Sequence, residues 1–72
     1  MTDVEALTRS RAIARARRWR WREPARVLTR QNGLAGRRVC VVLTTPDGRA
    51  CRVRIEFDLR TGALILAEYE RT

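Results

Sequence analysis

The chain contains no lysine, no histidine and one serine, Ser10. These absences remove a Ser-His-Asp triad, a Cys-His pair, a Schiff-base lysine and a His-ligated metal. Two cysteines, Cys40 and Cys51, cannot alone fill a structural zinc site. The acids offer no clustered pair for two-carboxylate chemistry, so the expectation is a non-enzymatic protein with no cofactor and no metal. No stretch approaches the roughly 20 apolar residues of a membrane span. The first residues include Asp3 and Glu5, and no apolar run follows them, so they do not read as a signal peptide. The expectation is a cytoplasmic chain with both thiols reduced.

What the chain does have is arginine. All 16 basic residues are Arg, a bias that GC-rich coding also produces, and they face 8 acids for a net charge of +8. The excess is local. From Arg9 to Arg38 there are eleven arginines and a single acid, Glu23, a net of +10. Residues 1–8 carry Asp3 and Glu5, and residues 39–72 balance five arginines with five acids. Arg grips phosphate through a planar fork of donors and stacks on flat rings. At 72 residues the chain is one domain, with 44% apolar residues as in a globular protein. A chain this short buries only roughly 60% of its unfolded surface, so a partner or a second copy is a usual source of added stability.

Thr2-Asp3-Val4-Glu5 reads as a capping box, with Thr2 as N-cap and Glu5 reaching back. Good helix formers follow, and Pro24 disfavours helical geometry at Glu23, so the spacing predicts a helix over about 3–22. Its apolar arc holds Ala6, Leu7, Ser10, Ile13, Ala14 and Trp21, interrupted by Arg17. The other arc holds Arg9, Arg11, Arg15, Arg18, Arg20 and Arg22 with Trp19. Trp21 is expected in the core. Trp19 either lies flat under Arg15 as a cation–π pair or stacks on a partner.

Residues 25–36 read as a basic arm or a short edge strand, with Asn32-Gly33 as a candidate hairpin turn. A three-stranded antiparallel meander is expected over 37–70, four-stranded if the arm joins it. Turns are expected at Thr45-Pro46-Asp47-Gly48 and Leu59-Arg60-Thr61-Gly62. The fold class is therefore α+β, one helix packed on the sheet in two layers. Pairing Thr45 with Arg49 and Phe57 with Ala63 gives the inner rows Leu43–Cys51, Val41–Val53–Ala67 and Val39–Ile55–Ile65, with Tyr69 beside Cys51. The outer rows then join Arg52 to Glu68 and Arg38 to Glu56. They leave Cys40 a half-exposed thiol on the face opposite Cys51, which forbids a disulfide. Cys40, Val42, Leu64 and Leu66 become a mildly apolar outer surface, either a solvent face or the contact for a second copy or another protein.

The segment from Asp47 to Leu64 resembles a PepSY-type repeat through Asp58, Thr61 and Gly62, which match that family's Asp-x-x-Thr-Gly turn. The resemblance covers about half the chain. It implies a helix followed by a three-stranded meander, and the exported inhibitor modules of peptidases typical of the family. The helix is similar to the arginine-rich RNA-binding helices of phage antiterminators, which also carry a Trp after the Arg cluster. In size and charge the chain resembles phage-encoded inhibitors of host defence, anti-CRISPR proteins among them.

Two functional expectations follow. The first is binding to nucleic acid, DNA or RNA, or to a ribonucleoprotein, through Arg9, Arg11, Arg15, Arg18, Trp19, Arg20, Arg22, Arg26, Arg30 and Arg37. Arg11, Arg15, Arg18 and Arg22 would form the spine, with Arg17 turned toward the sheet. No helix-turn-helix, RNP motif or KH loop is present, so base readout is not expected. The second is a protein inhibitor that docks the Arg block on an acidic partner or on the nucleic-acid groove of a nuclease complex. Cys40, Val42, Leu64 and Leu66 would then be a second contact or a homodimer face. A membrane-surface role needs a strong apolar helix face, and this one is mostly Ala.

Overall fold

A computed structural model describes residues 1–32, 36–44 and 51–71. The α+β class is as expected: one helix, α1 (Asp3–Ala16), packs on one face of a four-stranded antiparallel sheet. The strands are β1 (Ala25–Asn32), β2 (Arg37–Thr44), β3 (Cys51–Asp58) and β4 (Leu64–Arg71), arranged in chain order. The arm is a full edge strand, paired along β2 from Ala25–Thr44 to Asn32–Arg37. The candidate turns at Asn32-Gly33 and Thr45–Gly48 lie outside the described residues. Among the described residues no helix is long and apolar enough to cross a membrane.

The capping box forms. Thr2 Oγ1 accepts the Glu5 backbone N–H at 3.1 Å, and the Thr2 N–H donates to Glu5 Oε1 at 3.3 Å. The helix ends at Ala16, six residues before the expected stop. Arg18 takes a left-handed conformation with φ 58°. Its N–H donates to the Arg15 carbonyl at 3.1 Å, and the Trp19 N–H reaches the Ala14 carbonyl at 2.8 Å. That pair of bonds is a Schellman motif, which commonly has Gly at the left-handed position. No glycine announces it here. Continuing the helix would align Arg15 with Arg18, Arg17 with Arg20 and Arg18 with Arg22, and like charges at these spacings are unfavourable. Leaving the helix also lets Trp19 stack on Tyr69, with ring centroids 5.4 Å apart and an interplanar angle of 8°. Arg18→Gly relieves the backbone cost of a branched residue at positive φ and is expected to raise stability by about 0.5–1 kcal/mol in urea unfolding.

The β2–β3 register differs from the expected one by three residues. Val42 pairs with Ile55 and Cys40 with Phe57. An odd slip turns a strand over, so Cys40 and Val42 face the helix while Val39 and Val41 face away. The run Val39-Cys40-Val41-Val42-Leu43 is apolar on both faces, so alternation could not orient it. Thr44 closes the shifted register: its Oγ1 accepts the Val53 N–H at 2.9 Å. In β4 the slip is even. Ala67 sits beside Ile55 and Tyr69 beside Val53, with a bulge between the Phe57–Leu64 and Glu56–Leu66 pairs. Ala67 and Tyr69 therefore keep the expected face.

The core follows from these rows. Ala6, Cys40, Val42, Val53, Ile55 and Phe57 are buried together, and Leu7, Ile13, Trp19, Trp21, Val27, Ala67 and Tyr69 pack around them. Cys40 and Val42 are thus core residues, not a contact surface, and the Cys40 thiol is not half-exposed. Burial pushes it up from its ordinary pKa, so it stays protonated at neutral pH. Cys51 stands on β3 six residues from Phe57, the partner of Cys40. At about 3.3 Å per residue that is about 20 Å, well beyond the reach of a disulfide. Cys40 is a free thiol, and Cys51 lies out of its reach along the strand rather than across the sheet.

Ser10 faces this core fully buried, and its Oγ has no hydrogen-bond partner among the described residues. An unsatisfied buried hydroxyl costs more than it returns, and Ala is the better helix former. Ser10→Ala is expected to stabilise the fold by about 1 kcal/mol, read as a higher urea midpoint at unchanged slope.

Candidate nucleic-acid interface

Two ends of the sheet organise the surface. Arg9 Nη1 donates to the Gly62 carbonyl at 2.6 Å, so α1 begins above the β3–β4 turn. The helix runs from there toward Tyr69, and residues 17–24 then carry the chain to Ala25, which pairs with Thr44. The arginines of the connector, Arg17, Arg18, Arg20 and Arg22, therefore gather at one end. The turn of Asp58–Gly62 and the start of β2 lie at the other, tied by the Leu59 N–H donating to the Arg38 carbonyl at 3.0 Å.

The connector is held by the only acid in the basic block. Glu23 Oε1 accepts Arg11 Nη2 at 2.9 Å and Trp21 Nε1 at 3.1 Å, and Oε2 accepts the Ala25 N–H at 3.0 Å. The indole N–H and the Arg11 guanidinium hold this carboxyl below its ordinary pKa of 4.5. Asp58 is held below its ordinary 3.8, first by the Thr61 N–H, then by the Arg60 N–H and Arg37. Both folded-state values are depressed, so both carboxylates stabilise the fold above their ordinary pKa values. That contribution is lost as pH falls through the folded-state values. The urea midpoint is expected to hold from neutral pH down to about pH 5 and to fall below about pH 4, with a smaller fall in Glu23→Gln.

These bonds sort the expected contact residues. Arg9 covers the core, its guanidinium carbon 4.5 Å above the Phe57 ring. Arg9, rather than Arg17, is the arginine turned toward the sheet. Arg11 lies 5.7 Å over Trp21 and pairs with Glu23, which removes it from the expected spine. Arg17 lies 5.2 Å over Trp19, taking the place expected of Arg15. With Tyr69 stacked on it and Arg17 over it, Trp19 is a half-buried structural ring, not an open platform for a base. Trp21 is half-buried at the core margin, outside the helix. Arg22 also has an intramolecular partner.

Arg15, Arg18, Arg20, Arg26 and Arg30 remain. All are exposed, and none has a carboxylate partner among the described residues. The Arg20 backbone N–H donates to Tyr69 Oη at 3.2 Å, which fixes the chain there and leaves its guanidinium outside. Arg26 and Arg30 stand on the outer face of β1, opposite Leu43 and Val39, about 13 Å apart along the strand. Arg37 is 3.6 Å from Asp58.

The opposite edge has the other character. Arg52 meets Glu70 at 2.7 Å and Arg54 meets Glu56 at 2.8 Å; the expected partners were Glu68 for Arg52 and Arg38 for Glu56. The slipped register accounts for both changes. Glu68 and Glu70 stand exposed on β4 opposite Arg54 and Arg52, so this edge is charge-balanced where the β1 edge is basic. Leu28 on the outer face (39% exposed) and Leu64 (42%), which the slipped register puts opposite Phe57 instead of Glu56, remain accessible, and Leu66 is half-buried. Val39 and Val41 are buried even on the helix-free side.

Sequence reasoning passed over Arg38 and Arg60 as contact residues. Both are exposed without a carboxylate partner among the described residues, and they meet at the turn end of the sheet. Arg60 lies in the charge-balanced half of the chain, so a charge count by segment gives no signal for it.

No protein-family model matches the chain, and neither does any curated protein or solved structure.

Proposed function

We propose that the protein is a non-enzymatic binding module for nucleic acid or a ribonucleoprotein, and that it grips phosphates along one basic edge. The observation that carries this reading is the run of exposed arginines Arg15, Arg18, Arg20, Arg26 and Arg30, none with a carboxylate partner among the described residues. They follow the end of α1, the connector and the edge strand β1. Uncompensated charge at this density destabilises a compact fold, so neutralisation by a polyanion is favourable. The charges also blunt β1 against pairing with another chain, which is a use of edge arginines in its own right. The charge-balanced β4 side leaves β1 and the connector as the basic edge. Without a recognition motif and with Trp19 occupied, binding is electrostatic and shows little preference among sequences.

Gel shift with short single- and double-stranded DNA and RNA tests this. Binding at low salt that weakens steeply as salt rises is the expected result, and no binding at low salt refutes it. Exposed Leu28 and Leu64 favour a second reading, an inhibitor that docks on an acidic or nucleic-acid-binding surface of a nuclease complex. Pull-down from lysate with and without nuclease separates the two. A partner that survives nuclease treatment supports the inhibitor reading, and one lost with the nucleic acid supports the first.

A further inference from the structure

The turn end of the sheet carries an open groove of about 590 Å³ lined by Gly36, Arg37, Arg38, Asp58, Leu59 and Arg60. Three arginines and one aspartate line it, from β2 and from the β3–β4 turn. The carboxylate is largely committed: Asp58 Oδ1 accepts the N–H groups of Arg60 and Thr61, each at 2.9 Å, and Oδ2 lies 3.6 Å from Arg37 Nε. Arg37 engages Asp58 through Nε, which leaves its Nη donors uncommitted. Arg38 and Arg60 face no carboxylate partner among the described residues.

The walls are fixed by backbone. The Leu59 N–H donates to the Arg38 carbonyl at 3.0 Å, and the Gly62 N–H donates to the Asp58 carbonyl at 2.7 Å, closing the turn. Gly36 has φ +70°, a left-handed conformation that favours glycine, and a Cβ there would meet only the movable end of the Gln31 side chain, at 2.9 Å. A held turn with three arginines along one concave space suits a tetrahedral oxyanion, whose oxygens can each accept from a guanidinium fork.

We propose that this groove is a binding site for a phosphate group. The groove is larger than a bare phosphate, so the group that carries the phosphate lies against Leu59 and Gly36. The ligand chemistry is shared by a nucleic-acid phosphodiester and by a free phosphate-bearing small molecule. The site lies at the opposite end of the sheet from the connector arginines, while Arg30 of the basic edge stands opposite Val39 and so near it, and the oligonucleotide arm of the test separates the two readings.

The test uses the full chain labelled with ¹⁵N and titrated with inorganic phosphate against sodium chloride at matched ionic strength. Saturable shifts are expected at the amides of Gly36, Arg37, Arg38 and Arg60. The paired substitution Arg38→Gln, Arg60→Gln is expected to weaken phosphate binding by about tenfold or more, with an unchanged melting temperature. The proposal is overturned if these signals move no more than those of Arg15, Arg20 and Arg26, or if the paired substitution leaves the titration unchanged. A second arm measures the salt dependence of binding to a single-stranded oligonucleotide. Given the phosphate shifts, a slope reduced by about 1.4 in the paired variant assigns the site to the nucleic-acid backbone, and an unchanged slope assigns it to a free phosphate-bearing molecule. Absence of oligonucleotide binding refutes the proposed function and leaves the phosphate arm intact.

Discussion

Replacing Arg15, Arg20, Arg26 and Arg30 together by Gln is expected to lower nucleic-acid affinity by about a thousandfold near 0.1 M salt. The size follows from counterion release. Each phosphate neutralised contributes about 0.9 to the slope of log affinity against log salt on a duplex, so four lost contacts flatten it by about 3.6. Arg18 is left in place because its left-handed backbone at φ 58° would mix a folding effect with a binding one. Arg9, Arg11 and Arg17 are left because they cover Phe57, Trp21 and Trp19. The four chosen side chains are exposed and without described carboxylate partners, so the variant should fold as well as the parent or better. Salt titrations monitored by fluorescence anisotropy give the slope directly. A quadruple variant with the parental slope would place the contact elsewhere. Restoring Arg26 and Arg30 alone should recover about half of the lost slope if β1 contributes as argued.

Phe57→Ala is expected to cost about 3–5 kcal/mol. A domain of this length has a total stability of about 4–11 kcal/mol, so the variant loses a large share of it and its urea midpoint should fall sharply. The reasons are specific. Phe57 is fully buried and is the largest side chain in that state. It pairs with Cys40 on one side and Leu64 on the other, and the Arg9 guanidinium closes over its ring at 4.5 Å. The chain has four aromatic residues in all, and the other three, Trp19, Trp21 and Tyr69, are only half-buried. No neighbour is large enough to refill the space. Urea unfolding followed by far-UV circular dichroism measures the loss. A cost below about 1 kcal/mol would mean that the Cys40–Phe57 register is wrong, because the position would then not be a packed one.

The expected and observed registers show where pattern reading succeeds and fails. In β3, Val53, Ile55 and Phe57 alternate with Arg52, Arg54 and Glu56, and their face was legible from that alternation alone. The start of α1 was legible because Thr2 and Glu5 satisfy backbone donors locally. The end of α1 was not. A Schellman turn at Arg18 has no glycine to mark it, and what favours it includes a stack with Tyr69, about fifty residues away. The face of β2 was not legible either. It carries Val39, Cys40, Val41, Val42 and Leu43 in succession, and both of its faces end up buried. Its orientation was settled by the partner strand and by the Thr44 hydroxyl bonding to Val53, which is a tertiary contact.

For the candidate interface the division is similar. Composition alone determined that the positive charge lies between Arg9 and Arg38, that the basic groups are all guanidinium, and that nucleophilic chemistry through His or Lys is excluded. Those are sums over residues, and no folding changes them. Which guanidiniums remain available depends on neighbours distant in sequence. Glu23 takes Arg11, Phe57 takes Arg9 and Trp19 takes Arg17. The strand pairing brings Arg60, from the charge-balanced half, beside Arg37 and Arg38. Charge is a property of the chain, but an unpaired charge is a property of the fold, because desolvation and pairing act only over the few ångströms that tertiary structure sets.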